Sequence, residues 1–183
     1  MNWLQSVKHN YSVTVFEKRA KKVSFPHAFV DFDKAKTIAF IVNISQFNPE
    51  DLVSFTKYIS KLETVGKSVV VIELNFERKS LPMFKASTRS IFINPEGINW
   101  LKFPAVERLR EINRLKCDLL VNLDTSEQMT SHFICGLSNA KTRVGLAQDG
   151  YEAFYELLLQ LPNTTKITKL LETFEMFTKM LEK

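Results

Sequence analysis

Residues 37–74 read TIAFIVNISQFNPEDLVSFTKYISKLETVGKSVVVIEL, and the order of patterns in this stretch decides the fold. It opens and closes on short apolar runs, Thr37 to Asn43 and Ser68 to Leu74, whose length and β-branched content are those of strands. Between them, Asn48-Pro49-Glu50-Asp51 is a helix start: Asn supplies the cap, Pro suits the first turn, and the acids suit the positive end of the helix dipole. Leu52, Phe55, Ile59 and Leu62 then recur on one helical face until Gly66. A strand, a helix and a strand in this order predict two parallel strands joined by a crossover. The run SVVVIEL is continuous enough in apolar residues to be covered on both faces, which places it near the centre of a sheet.

Toward the C-terminus the alternation continues. Ser90 to Ile93 is a short third strand, followed by an irregular segment punctuated by Pro95, Gly97 and Pro104. Trp100 lies in that segment, where its ring suits a ligand platform or, as the expected role, a cover for the core. A helix through Val106, Leu109, Ile112 and Leu115 leads to a fourth strand, Asp118 to Leu123. Thr125 or Ser126 is expected to cap the next helix, which carries Met129, Phe133, Ile134 and Leu137. Thr142 to Leu146 reads as a fifth strand, and Phe154 to Leu161, with Tyr155, Leu157 and Leu159 alternating, as a sixth. Asn163 and Thr164 are expected to cap a last amphipathic helix through Leu170, Phe174, Phe177 and Leu181. The pattern predicts a single Rossmann-like α/β domain, with a mostly parallel sheet of about six strands flanked by helices and with N- and C-terminal helices packed on it.

The net charge of +5 is concentrated at one end: residues 1–36 hold seven lysines and arginines against three acids. The expected division is a basic N-terminal helical segment, residues 1–36, and the α/β domain, residues 37–183. A localised basic segment of this kind suits anionic lipid or the phosphates of nucleic acid, and no sequence-specific nucleic-acid partner is expected. Beside Trp3, Leu4, Val7, Tyr11 and Phe16 it predicts a docking helix with a solvated basic face, and it suits peripheral contact of residues 1–22 with an anionic membrane.

Other classes of chemistry lack their residues. The histidines, His9, His27 and His132, are scattered, and the two cysteines, Cys117 and Cys135, form no CxxC, so no metal site is expected. His132 and Cys135 share one predicted helix, where a buried thiol packing as a small hydrophobe is the expectation. No Gly-rich turn of the GxGxxG or Walker A kind occurs, and no cofactor is expected. Free cysteines, no secretory leader pattern in MNWLQSVKHNY and no apolar run of spanning length set the expectation of a cytoplasmic protein, with or without peripheral attachment at the inner membrane surface.

The segment LREINRLKCDLLVNLDTSEQM, residues 109–129, followed by SNAKTRVGL, residues 138–146, resembles the second half of the N-terminal domain of heptosyltransferase-like GT-B glycosyltransferases. A helix, a strand opening with Asp, a second helix and an Ala-Lys-x-x-x-Gly strand start recur there in the same order. With its loop around Asn99-Trp100 and its length, the chain is also similar to a family of short uncharacterised bacterial proteins, a domain of unknown function. The GT-B resemblance implies an acceptor-type half whose nucleotide-sugar donor sits on a further domain. It also implies a catalytic Asp in the loop after the first strand. At that place Asn43 to Asp51 has Asn for the family's Arg, no Gly, and an acid shifted by one or two residues, to Glu50 or Asp51.

In a Rossmann-like order the first and fourth strands are neighbours, so Glu50, Asp51 and Asp124 flank the crevice where such sheets bind ligands. They are the candidate catalytic carboxylates, and helix-start capping is the alternative for all three. Ser45, Thr125, Ser126 and Arg143 are the candidate ligand-binding residues. Two functions stay open. One is a non-catalytic binding or scaffold module with a protein partner or a second copy; the other is a sugar- or nucleotide-sugar-binding enzyme subunit whose donor domain lies on another chain.

Overall fold

The structure is a computed structural model, and it describes residues 3–20, 28–77, 81–84, 89–126, 129–148, 150–162 and 165–180. Among these residues six strands form one sheet: β1 (Thr37–Asn43), β2 (Ser68–Leu74), β3 (Arg89–Ile93), β4 (Leu119–Asn122), β5 (Thr142–Leu146) and β6 (Leu157–Leu159). Their order is β3-β2-β1-β4-β5-β6, and every pair is parallel. This is the doubly wound arrangement that the alternation predicts, with the order reversing between β1 and β4.

Among the described residues five α-helices cover the two faces: α1 (Trp3–Ala20), α2 (Pro49–Thr64), α3 (Val106–Arg114), α4 (Met129–Leu137) and α5 (Ile167–Met180). On one face Phe55, Ile59 and Leu62 of α2 and Ile167, Leu170 and Phe174 of α5 pack on Phe40 of β1 and Val121 of β4. On the other, Phe16 of α1, Ile112 of α3 and Phe133 and Ile134 of α4 pack on Ile41 and Leu120. Alternate residues of the central strands therefore serve opposite layers. None of the helices among the described residues is long and apolar enough to cross a membrane.

The start of α2 forms as its sequence dictates. The Asn48 side chain accepts the amide of Asp51 at 2.8 Å, Pro49 takes the first helical position, and Gly66, at φ 84°, follows the C-terminus in the left-handed region. The N-terminal helix is tied to the domain by Phe16, which is fully buried, stacks on Phe133 at 4.5 Å and meets Phe154 edge-on at 4.3 Å. Behind it Gly136 has no room for a side chain, because a Cβ there would lie 3.0 Å from Phe16 Cε2 and closer still to Cζ.

Four local expectations change. Trp100 is 65% exposed rather than a core cover; the neighbouring Leu101 and Phe103 fill the interior instead. The stretch from Phe154 is a 3₁₀ turn, Glu152–Phe154, and only Leu157–Leu159 is strand, since Phe154 and Tyr155 are drawn beneath α1 and α4. Thr125 and Ser126 spend their side chains on neighbouring loops, as described below, and α4 runs from Met129. In α5 the buried face is Ile167, Leu170, Leu171, Phe174 and Thr178, which leaves Phe177 exposed; the proposed caps Asn163 and Thr164, and Leu181, lie outside the described residues. Inside the apolar run of β2, Glu73 is fully buried. Its carboxylate accepts the amides of Met83 and Phe84, fastening residues 81–84 over the sheet, and burial raises its pKa.

Candidate functional site: the switch point between β1 and β4

Where the strand order reverses, the helices after β1 and β4 leave toward opposite faces and open a crevice at the carboxyl ends of the strands. The two loops that bound it are stitched together by side chains. Asn43, at the end of β1, donates from Nδ2 to Ser126 Oγ at 3.0 Å, and its Oδ1 accepts Ser45 Oγ at 2.7 Å. Gln46 donates from Nε2 to Thr125 Oγ1 at 2.9 Å and accepts the Thr125 amide at 3.2 Å. Four polar residues that sequence separates by about eighty positions are thus held face to face.

The carboxylates divide. Asp124 is 2% exposed and lies under the loop: its Oδ1 accepts the amide of Ser126 at 3.0 Å and the Ser126 hydroxyl at 2.5 Å. Its Oδ2 is buried and has no hydrogen-bond partner among the described residues, an uncommon condition for a carboxylate oxygen. Asp51 stands on the wall of the crevice, while Glu50 is exposed on the first turn of α2 and is not part of that wall. The structure therefore brings Ser45, Thr125, Ser126, Asp51 and Asp124 to one end of the sheet but only Asp51 and Thr125 to the surface of the crevice.

Arg143 is placed elsewhere. It sits at the second position of β5, opposite Leu120, and its guanidinium pairs with Glu156, with Nε 3.1 Å from Oε2. Both side chains are nearly buried, so this cation is committed to a structural ion pair. Lys141, two residues before Arg143, donates to Asp118 at 2.7 Å at the opposite end of the sheet. That contact and the amides of Lys36 and Thr37 outweigh partial burial and hold the Asp118 carboxyl below its ordinary pKa.

The crevice opens into a cleft of about 250 Å³ on the side covered by α2 and α5. Phe47, Leu123, Ile167 and Leu170 supply its apolar wall, Gln46 and Thr125 a polar edge, and Asp51 and Lys166 its charges. Among the described residues no glycine turn brings backbone amides close together here, and Asp51 occupies the first turn of α2, where it opposes a phosphate.

A second polar cluster lies under α4, and sequence reading missed it. Tyr155 packs over Gly145, and its hydroxyl accepts Asn122 Nδ2 at 2.9 Å and donates to His132 Nδ1 at 2.6 Å. On the far side of the ring, His132 Nε2 donates to Gln148 Oε1 at 2.5 Å, and Tyr151 stacks on the imidazole at 3.9 Å. The Gln148 oxygen calls for a proton on Nε2, and because burial disfavours the charged ring the Tyr155 hydroxyl is assigned as donor to Nδ1. Burial lowers the pKa of His132, and the Gln148 contact and the charge of Asp124 oppose that shift without reversing it. Burial also pushes the Tyr155 hydroxyl well above its ordinary range and the thiols of Cys117 and Cys135 up to about 12. Both cysteines are buried core thiols, as the helix shared with His132 implied for Cys135. Among the described residues no group of three or more His, Cys, Asp or Glu is arranged to hold a metal ion. The sequence signal for the cluster was limited to Asn122 inside the apolar run of β4 and His132 beside the apolar face of α4.

A glycosyl transferase of family 9 from Veillonella parvula DSM 2008 has a solved structure to which the chain is similar, with a TM-score of 0.48 and 15% identity. The similarity covers 80% of this chain and 42% of the transferase, so the chain spans less than half of that protein's length. No curated protein matches the chain. A family model matches residues 8–181, nearly the whole length, and the chain belongs to that family, DUF6913, a family of unknown function.

Proposed function

We propose that the protein is a non-catalytic binding module that takes a small hydroxyl-rich ligand of the sugar class in the cleft at the β1/β4 switch point. The observation that carries this reading is the composition of the cleft: an apolar wall at Phe47 and Ile167 faces a polar edge at Gln46 and Thr125, between Asp51 and Lys166. A sugar ring presents the matching surface, with C–H faces for the apolar wall and hydroxyls for amide, hydroxyl and carboxylate groups. Binding without turnover is supported by the position of Asp124. Its carboxylate is buried beneath Ser126 and does not line the cleft.

The test is a thermal-shift screen of monosaccharides, sugar phosphates and nucleotide-sugars. A ligand present at 100 times its Kd adds about 2.7 kcal/mol of stability, which for a domain of this size raises Tm by roughly 5–10 °C. Thr125→Ala is expected to abolish the shift, and a panel in which no member moves Tm would sink the proposal.

A second reading rests on Asp51, whose placement on the cleft wall suits a general base. On that reading the chain is the acceptor-binding subunit of a sugar-transferring enzyme, with Asp51 or the adjacent Glu50 as base and the donor domain on another chain. Asp51→Asn separates the two. In a binding module it weakens ligand binding by removing one carboxylate contact and there is no transfer to lose, whereas in an enzyme subunit it lowers the rate of transfer far more than it lowers binding.

A further inference from the structure

We propose that the outer face of the first half of α1, together with the Trp100 loop, is a docking surface for an anionic lipid bilayer. This inference is independent of the cleft and stands on a different part of the molecule.

Trp3, Leu4, Val7 and Tyr11 recur at helical spacing and are all exposed, with Trp3 73% open to solvent, while Ser12 and Phe16 hold the opposite side of the helix to the core. The apolar stripe continues across an element boundary, because the Tyr11 ring stacks on Trp100 with centroids 6.3 Å apart. A helix that needed only to dock on its own domain would keep such residues inward. An apolar face of this extent on the outside marks an interaction site.

The Trp100 loop is built to present its side chain. Asn99 Oδ1 accepts the amides of Leu101 and Phe103 at 2.9 and 3.1 Å, and the Asn99 amide donates to Phe103 O at 2.9 Å. Leu101 and Phe103 are thereby plugged into the core, and the alternate residues Trp100 and Lys102 are turned out. Lys102 adopts φ 67°, a left-handed conformation seldom taken by lysine, with its carbonyl held by the Thr130 hydroxyl at 3.0 Å. The exposure of Trp100 is therefore fixed by specific hydrogen bonds.

Charge complementarity selects the occupant. Lys8 lies over the Trp100 ring at 5.8 Å, and Lys8, Trp100 and Lys102 line a shallow cleft of about 220 Å³. Two lysines beside indole and phenol rings match the boundary of an anionic bilayer, where ammonium groups meet phosphates and aromatic rings settle at headgroup depth. The acid of the helix, Glu17, stands near its far end beside Lys18 and Arg19. In a two-fold pairing of this face the Lys8 and Lys102 clusters of two copies would be brought together, which disfavours self-association. Contact would be peripheral, since α1 is not a spanning helix.

Co-sedimentation and intrinsic fluorescence with vesicles of pure phosphatidylcholine, and of phosphatidylcholine with 30% phosphatidylglycerol, test the proposal. The expected result is binding to the anionic vesicles at low salt, with a blue shift of Trp emission, and loss of binding in neutral vesicles and at high salt. The exposed double substitution Lys8→Gln with Lys102→Gln should weaken binding roughly 30-fold, from about one kilocalorie per mole per lysine. Trp100→Ala should weaken it while leaving the circular dichroism spectrum unchanged. Absence of binding at low salt, equal binding by the double variant, or a concentration-dependent dimer that Trp100→Ala dissolves would each overturn the proposal.

Discussion

Gly145 occupies a position in β5 where any side chain would strike the Tyr155 ring, with a Cβ landing 2.7 Å from Cδ1 and nearer still to Cε1. Gly145→Ala must therefore push Tyr155 off the sheet and with it the hydroxyl that Asn122 and His132 share. We expect a loss of about 1–3 kcal/mol in chemical denaturation, typical of overpacking. A variant as stable as the parent would contradict the packing described. His132 makes a separate prediction. Its pKa is depressed in the folded protein by burial, so below the unfolded value near 6.5 the unfolded chain takes up a proton that the folded protein refuses. The stability this group contributes is complete above pH 6.5 and declines as pH falls toward the folded pKa. Urea melts between pH 7 and pH 5 should show that decline in the parent and a smaller one in His132→Gln; equal slopes would show that the imidazole is not the group responsible.

The helix caps carry their own tests, and they show what sequence can reveal. Asn48 holds the start of α2 through one hydrogen bond to Asp51, and Asn48→Ala should cost about 1 kcal/mol, read as a lowered urea midpoint with an unchanged slope. That cap was legible because all its parts lie within four residues. The strands and helices were legible for the same reason, since burial on a sheet or helix face imposes a local period. The bond pairs Asn43–Ser126, Gln46–Thr125 and His132–Tyr155 join residues 83, 79 and 23 positions apart, and no local pattern announces them. Thr125 and Ser126 look like caps in sequence because the residue types that cap helices also bridge loops. The outward turn of Trp100 escaped for a related reason. It depends on which of four successive residues the Asn99 side chain selects, and composition alone favours an inward ring.

For the whole molecule, the sheet order explains why the candidate crevice lies where it does. Helices α2 and α4 follow adjacent strands but cover opposite faces, so the loops leading to them part at the carboxyl edge. The expected crevice was therefore readable from the alternation of elements, as were Asp51 and Thr125 on its surface. The burial of Asp124 and the pairing of Arg143 with Glu156 depend on tertiary packing, and they remove two of the charged groups a catalytic reading would use. What is left is a polar cleft with an apolar wall on one side of the sheet and an aromatic, basic face on the outer surface of α1. The binding account is tested most directly by amide chemical-shift mapping during titration with sugars and nucleotide-sugars. It predicts saturable shifts clustered at Gln46, Phe47, Asp51 and Thr125; no saturable shift with any of them, or shifts clustered away from the β1/β4 edge, would contradict it.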